Sequence, residues 1–177
     1  MRVLVTYSSK HGATAGIAER IGDVLREAGL TVEVWPAGEV ADVEGYDAVV
    51  AGSAVYLGSW LKDVTGFLRR NTGALATRPV WLFSSGPVGN APESAESGDL
   101  DKAVSAKQRA ELKELTHPRD HRVFFGAVDR HDFGPAERLF AATPAGRKLL
   151  PEGDFRDWAD IEAWAGEIAA ELAGVPA

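Results

Sequence analysis

The chain has 177 residues, a net charge of −7 and no cysteine. That length suits one domain with its own core, and the acidity argues against sequence-independent nucleic-acid binding and against docking on anionic lipid. Without thiols there are no disulfides or Cys-ligated metals, so any redox chemistry must come from a bound cofactor. No apolar run reaches the ~20 residues of a membrane helix. No signal-like segment precedes Val3, and a cytoplasmic location is expected.

Met1 to Tyr7 is a short β-rich run, suited to a strand buried on both faces. From Ala13, Ile17, Ala18, Ile21, Val24, Leu25 and Ala28 follow at helical spacing, and Gly29 stands where a C-terminal cap belongs. Leu30 to Trp35 alternates as a second strand that Pro36 ends. Tyr46 to Ala51 reads as strand three and Gly52 to Ser59 as a loop, with a helical stripe from Trp60 through Leu61, Val64, Phe67 and Leu68. The cations Lys62, Arg69 and Arg70 fall on the solvated face of that helix. Pro79 to Phe83 is strand four, followed by a turn from Ser84 to Gly89, a polar loop from Asn90 to Asp99 and a charged helix over Leu100 to Leu115. His121 to Val128 is strand five. Arg130 to Phe155 is long for a plain connection and holds a short helix near Pro135 to Ala142. Asp157 is positioned to cap a final amphipathic helix carrying Trp158, Ile161, Trp164, Ile168 and Leu172.

Strands alternating with helices predict right-handed βαβ units. The expected fold is a single α/β domain: a five-stranded parallel sheet in the order 2-1-3-4-5 with helices on both faces. Ligands of such sheets bind at the carboxyl ends of the strands, where the winding reverses. That rule selects the turns Ser8 to Thr14, Ser53 to Trp60 and Ser84 to Gly89.

The first turn feeds a helix N-terminus, where unpaired amides and the helix dipole favour an anion. Ser8, Ser9 and Thr14 add hydroxyls, Lys10 and His11 add charge, and Gly12 lets the backbone come close. A serine-capped helix with an exposed lysine and histidine is the alternative. Neither G-x-x-x-x-G-K-[ST] nor G-x-G-x-x-G is present, so a terminal monophosphate fits better than ATP, GTP or NAD. In the second turn Tyr56 and Trp60 are candidates to lie against a flat ring, Trp60 being equally a first core residue of the next helix. The third turn suits a backbone-lined pocket wall or a tight turn before a loop. The histidines His11, His117, His121 and His131 lack metal-ligand spacing, and no G-x-S-x-G elbow is present.

Tyr7-Ser8-Ser9-Lys10-His11-Gly12-Ala13-Thr14, with Ala18 and Ile21 at the right spacing, resembles the flavodoxin signature, from which Thr6 departs where an apolar or aromatic residue is usual. The resemblance implies a flavodoxin-like three-layer sandwich that binds FMN. It gives the phosphate to Ser9, Lys10, His11, Gly12, Ala13 and Thr14. It gives the isoalloxazine to Ser53, Ala54, Val55, Tyr56, Leu57, Gly58 and Trp60, with Ser85, Gly86, Pro87, Val88 and Gly89. Within that superfamily the chain is most similar to the flavodoxin-domain group that includes the menaquinone-dependent protoporphyrinogen dehydrogenases. The likeness rests on Phe124-Phe125-Gly126-Ala127-Val128-Asp129, the extra segment over residues 130–155, and the pair Asp157-Trp158. It differs from that group in having no arginine from Ala54 to Gly58. Its segment from Glu137 to Leu150 is also mixed, with Arg138, Arg147 and Lys148 as its cations, a composition poorly suited to a membrane-surface helix.

An FMN-dependent oxidoreductase with a quinone or porphyrinogen substrate is therefore the leading expectation. The extra segment favours it over an electron carrier serving a redox partner protein, or a flavin-less binding module.

Overall fold

The computed structural model describes residues 1–56, 58–86, 104–149 and 152–174. Five parallel strands form the central sheet: β1 (Arg2–Ser8), β2 (Thr31–Pro36), β3 (Ala48–Tyr56), β5 (Val80–Ser85) and β6 (Asp120–Phe124). Their spatial order is β2-β1-β3-β5-β6, the doubly wound order expected from the sequence. A short strand, β4 (Ser59–Trp60), folds back antiparallel on the end of β3 and makes the sheet six-stranded.

The alternation of each strand divides the core. Val3 and Val5 face one side of the sheet, where α1 (Ala13–Glu27) and the last helix, α7 (Trp158–Ala173), cover them with Ile17, Ile21, Trp164 and Ile168. Leu4, Val49, Ala51 and Leu82 face the other side, under α2 (Lys62–Arg70), α3 (Thr72–Leu75) and α4 (Ala106–Thr116). Burying Val3, Leu4 and Val5 completely, on both faces of the sheet, explains why β1 reads as a continuous apolar run.

The helix ends follow their sequence signals in two cases. Gly29, at φ +90°, closes α1: its N–H donates to the Arg26 carbonyl and that of Leu30 to the Leu25 carbonyl, the paired bonds of a glycine-terminated helix. Asp157 caps α7 by accepting from the Asp160 amide.

Three boundaries differ from the sequence expectation. Strand three does not stop at Ala51 but runs to Tyr56, because β1 and β5 still flank it: Ser8 pairs with Ser53, and Ala54 with Ser85. The stretch expected as a loop is therefore the end of β3 plus a hairpin, and Trp60 belongs to β4 rather than to the helix, which begins at Lys62. Strand five is broken. β6 leaves the sheet after Phe124, and Ala127–Val128 forms β7, paired antiparallel with β8 (Gly153–Asp154). The charged helix begins at Ala106 with Ser105 as its cap, and Leu100, where it was expected to start, lies outside the described residues. The loop expected over Asn90 to Asp99 lies outside the described residues.

Between β7 and β8 the extra segment forms a 3-10 turn (Arg130–Asp132) and two helices, α5 (Pro135–Ala142) and α6 (Pro144–Leu149). Val128, Phe133 and Ala141 give it a small core of its own. Only α5 was legible from the sequence.

Candidate cofactor site

The polar switch at the carboxyl ends of the strands occurs in one row. Ser8, Ser53 and Ser84 stand side by side on β1, β3 and β5, all buried. Beyond that row lie the three turns selected from the sequence.

The first turn leaves α1 open. Gly12 is the N-cap residue, in the left-handed region at φ +79°, and no side chain caps the helix. The serine-capped alternative is thereby corrected: Ser8 and Ser9 precede the helix without closing it. The first intrahelical bond runs from the Gly16 amide to the Gly12 carbonyl, so the amides of Ala13, Thr14 and Ala15 point out of the helix end without intrahelical acceptors. No acidic residue lies in that turn to satisfy the dipole. The hydroxyl of Thr14 is buried at 1% exposure and, among the described residues, has no hydrogen-bond partner. A buried unpaired hydroxyl costs free energy that the fold alone does not recover. An uncapped helix end with three outward amides and an orphaned hydroxyl is a fit for a bound anion such as a phosphate. Clefts open on both sides of the turn. One of about 390 Å³ has Ser9 and Gly12 on one wall and Glu39 and Asp63 on another. A second of about 480 Å³ separates Lys10 and His11 from Asp132 and Pro135 of the extra segment.

The second turn brings its residues to different ends. Tyr56, at the strand ends, is 40% exposed, with the Lys10 ammonium over its ring at 5.5 Å from the centre. Trp60 is 5% exposed and belongs to the core. It offers no face to a ligand, and that half of the aromatic expectation is corrected. The hydroxyl of Ser53 is used inside the fold, donating to the Ala54 carbonyl and accepting from the Leu61 amide. Ser53 therefore shapes the loop rather than presenting a donor to it. Gly58 turns the hairpin at φ +75°, and its carbonyl accepts from the Ser105 amide at the start of α4. Ala54 and Val55 complete the strand; Leu57 lies outside the described residues.

The third turn is described as far as Gly86, so Pro87, Val88 and Gly89 fall outside it. Ser85 is buried, and Gly86 adopts φ +122° and donates its N–H to the Phe124 carbonyl. A side-chain carbon at Gly86 would lie 3.7 Å from the Val55 carbonyl oxygen, which measures how closely the second and third turns approach.

Two contacts had no readable signal in the sequence. Phe133 of the extra segment packs on the His11 ring, with centroids 5.6 Å apart, and ties that segment to the first turn. His121, read as a solvated or structural histidine, has its Nε2 2.9 Å from the Ser84 hydroxyl and its ring 5.7 Å from Trp60. Thr6, the departure from the signature, is fully buried and donates to the Trp35 carbonyl, so its hydroxyl is satisfied by the neighbouring strand. Among the described residues no three His, Cys, Asp or Glu side chains converge as metal ligands, and no helix is long and apolar enough to cross a membrane.

Comparison with known proteins agrees with the fold. A family model described as a flavodoxin domain matches residues 4–144. The protoporphyrinogen IX dehydrogenase (quinone) of Escherichia coli strain K12 is 26% identical over 95 residues, which are 52% of each chain. The chain thus spans about half the length of the curated relatives it matches. Oxidised flavodoxin 1 from Bacillus cereus superimposes with a TM-score of 0.60 at 14% identity, over 99% of this chain and 100% of that one. Rubredoxin oxygen:oxidoreductase from Desulfovibrio gigas gives 0.62 at 18% identity, over 97% of this chain and 36% of that one. At those identities the structural likenesses show the fold. The family match covers most of the chain and spans the positions of all three turns, and on that ground the protein belongs to the flavodoxin-domain family.

Proposed function

We propose that the protein is an FMN-binding oxidoreductase, with the FMN phosphate at the first turn of α1 and the isoalloxazine at the second and third turns. The observation that carries the reading is the buried, unpartnered hydroxyl of Thr14 at an uncapped helix end. A terminal phosphate supplies the acceptor that this hydroxyl and the amides of Ala13, Thr14 and Ala15 lack. Ser9, Lys10, His11 and Gly12 complete the turn: Gly12 keeps the approach open, Ser9 adds a hydroxyl, and the two basic residues stand at the cleft mouth. Tyr56 is the exposed aromatic at the strand ends, suited to lie against a flat ring. When bound, the flavin supplies the electron-transfer chemistry, and the protein supplies binding, orientation and electrostatics.

Support for a small-molecule substrate, rather than a carrier's role alone, comes from the extra segment. It folds around its own core and walls the cleft beside Lys10 and His11. The relative named as a quinone-linked protoporphyrinogen IX dehydrogenase points to quinones and porphyrinogens as the first substrates to try.

The test is a visible absorption spectrum of the purified protein before and after adding FMN and removing the excess. Flavin bands that stay with the protein are expected; a protein that remains colourless overturns the reading. With flavin bound, oxidation of a porphyrinogen coupled to a quinone distinguishes the enzyme from a carrier that exchanges electrons only with a redox protein.

A further inference from the structure

Arg156 lies just after the extra segment, yet its side chain reaches the first turn of α1. It is 18% exposed and has three partners, Asp154, Trp158 and Ala13. Nε and Nη2 form a fork on the Asp154 carboxylate, at 2.8 and 2.6 Å, and hold that carboxyl below the usual aspartate range. Its carbon lies 4.4 Å from the ring centre of Trp158, at the start of α7. Nη1 donates to the Ala13 carbonyl at 3.4 Å, on the turn that presents Thr14. One planar group thus joins the end of the extra segment, the last helix and the candidate phosphate turn.

The place for that group is made by Gly16. A glycine inside a helix costs about 1 kcal/mol relative to alanine, and Gly16 has an ordinary helical φ that any residue adopts, so the backbone does not require it. What fills the space beside it is Arg156: a Cβ on residue 16 would come within 2.6 Å of Nη1, so the guanidinium can keep its seat only with glycine there. The charge of Arg156 is already matched by Asp154, so its role toward an anion is geometric rather than that of a second phosphate cation.

We infer that Arg156 is a positioning residue: seated in the gap left by Gly16, it fixes the first turn of α1 in its anion-binding geometry and couples that turn to the extra segment. The inference rests on the reading of that turn as the FMN phosphate site.

The experiment compares FMN with riboflavin, which carries the same ring and no phosphate. Affinities for the full-length apoprotein are measured by flavin fluorescence in the wild type, Arg156→Ala, Arg156→Lys and Gly16→Ala. Losing one charge-assisted tie predicts FMN affinity lowered about threefold to tenfold in Arg156→Ala, with riboflavin affinity unchanged and Arg156→Lys intermediate. Gly16→Ala is the decisive variant. It favours the helix, and its one contact tighter than ordinary packing is with the movable end of Arg156, the Trp158 ring lying at 3.8 Å, so it is expected to keep or raise thermal stability while weakening FMN like Arg156→Ala. Hydrogen exchange at the amides of Gly16, Ile17 and Ala18 is expected to quicken in both variants. Unchanged FMN affinity in Arg156→Ala and Gly16→Ala overturns the inference, as does an equal loss for FMN and riboflavin, which marks a general structural role. If the wild type binds neither flavin, the proposed function fails. Exchange at residues 16–18 then decides the tie by itself: local quickening in Arg156→Ala supports it and an unchanged rate overturns it.

Discussion

The indole N–H of Trp60 donates to the hydroxyl of Ser84 across 2.8 Å, between two strands, β4 and β5, that do not pair with each other. Both residues are buried, and the same hydroxyl lies 2.9 Å from His121 Nε2. This bond closes the hairpin of the second turn onto the floor of the sheet. Ser84→Ala leaves the indole N–H buried without its acceptor, and the expected destabilisation is about 1–3 kcal/mol. Urea denaturation followed by tryptophan fluorescence measures it; a midpoint equal to that of the wild type would show that water reaches the indole.

The same bond explains what was hard to read in the sequence. An aromatic residue at the mouth of a strand-end loop looks alike whether it meets a ligand or the core, and only the partner across 24 residues decides. The order of the five parallel strands was legible because burial on both faces leaves unbroken apolar runs such as Val3-Leu4-Val5 and Val49-Val50-Ala51. The extension of β3 through Gly52 and Ser53 was not, since small residues at a strand end carry little propensity and the pairing with Ser8 and Ser84 holds them. The open end of α1 was legible in its glycine and threonine. The seat of Arg156 was not, because Gly16 and Ala13 lie 140 and 143 positions before it in the chain.

Gly52 is a second place where a small residue is fixed by a distant one. It sits opposite Phe83 on the neighbouring strand, and a Cβ there would fall 2.1 Å from the ring. Phe83 is itself locked among Phe124 and Trp164, at centroid distances of 6.3 Å each, so it cannot swing aside. Gly52→Ala is expected to destabilise by about 3 kcal/mol through overpacking, seen as a lower thermal midpoint. Adding Phe83→Leu should return part of that loss, a coupling that a double-mutant cycle reads directly.

At the sheet edge, Glu33 accepts from Arg2, from the Tyr46 hydroxyl at 2.8 Å and from the Trp35 indole. Chiefly its bond to Arg2 holds the Glu33 carboxyl below the usual range. Burial, then the bond to Glu33, pushes the Tyr46 phenol up to about 12. The neutral phenol is the form the fold favours, so its contribution is present below the unfolded tyrosine value, about 10, and is lost as pH rises through the folded one. The contribution of Glu33 has the opposite sense: it is full above the ordinary glutamate range and lost as pH falls through the lowered value. An ultraviolet titration of phenolate absorbance should show a late component near 12 that disappears in Tyr46→Phe. If that late component persists in the variant, Tyr46 is not its source.

Thr14 separates the demands of the fold from those of the cofactor. Its hydroxyl is buried and, among the described residues, unpartnered, and Val has nearly the shape of Thr, so Thr14→Val keeps the fill of this buried position and removes only the unsatisfied group. For the apoprotein the change is expected to be stabilising by about 1 kcal/mol, which raises the thermal midpoint by about 2–4 °C in a chain of this size. For FMN the change removes a donor to a dianion, and calorimetric titration should show at least about tenfold weaker binding when Ser9→Ala is combined with it. The two effects have opposite signs only if the hydroxyl is kept for a ligand. A Thr14→Val apoprotein that melts lower than the wild type, with FMN affinity intact, would instead mean that the hydroxyl serves the fold through water.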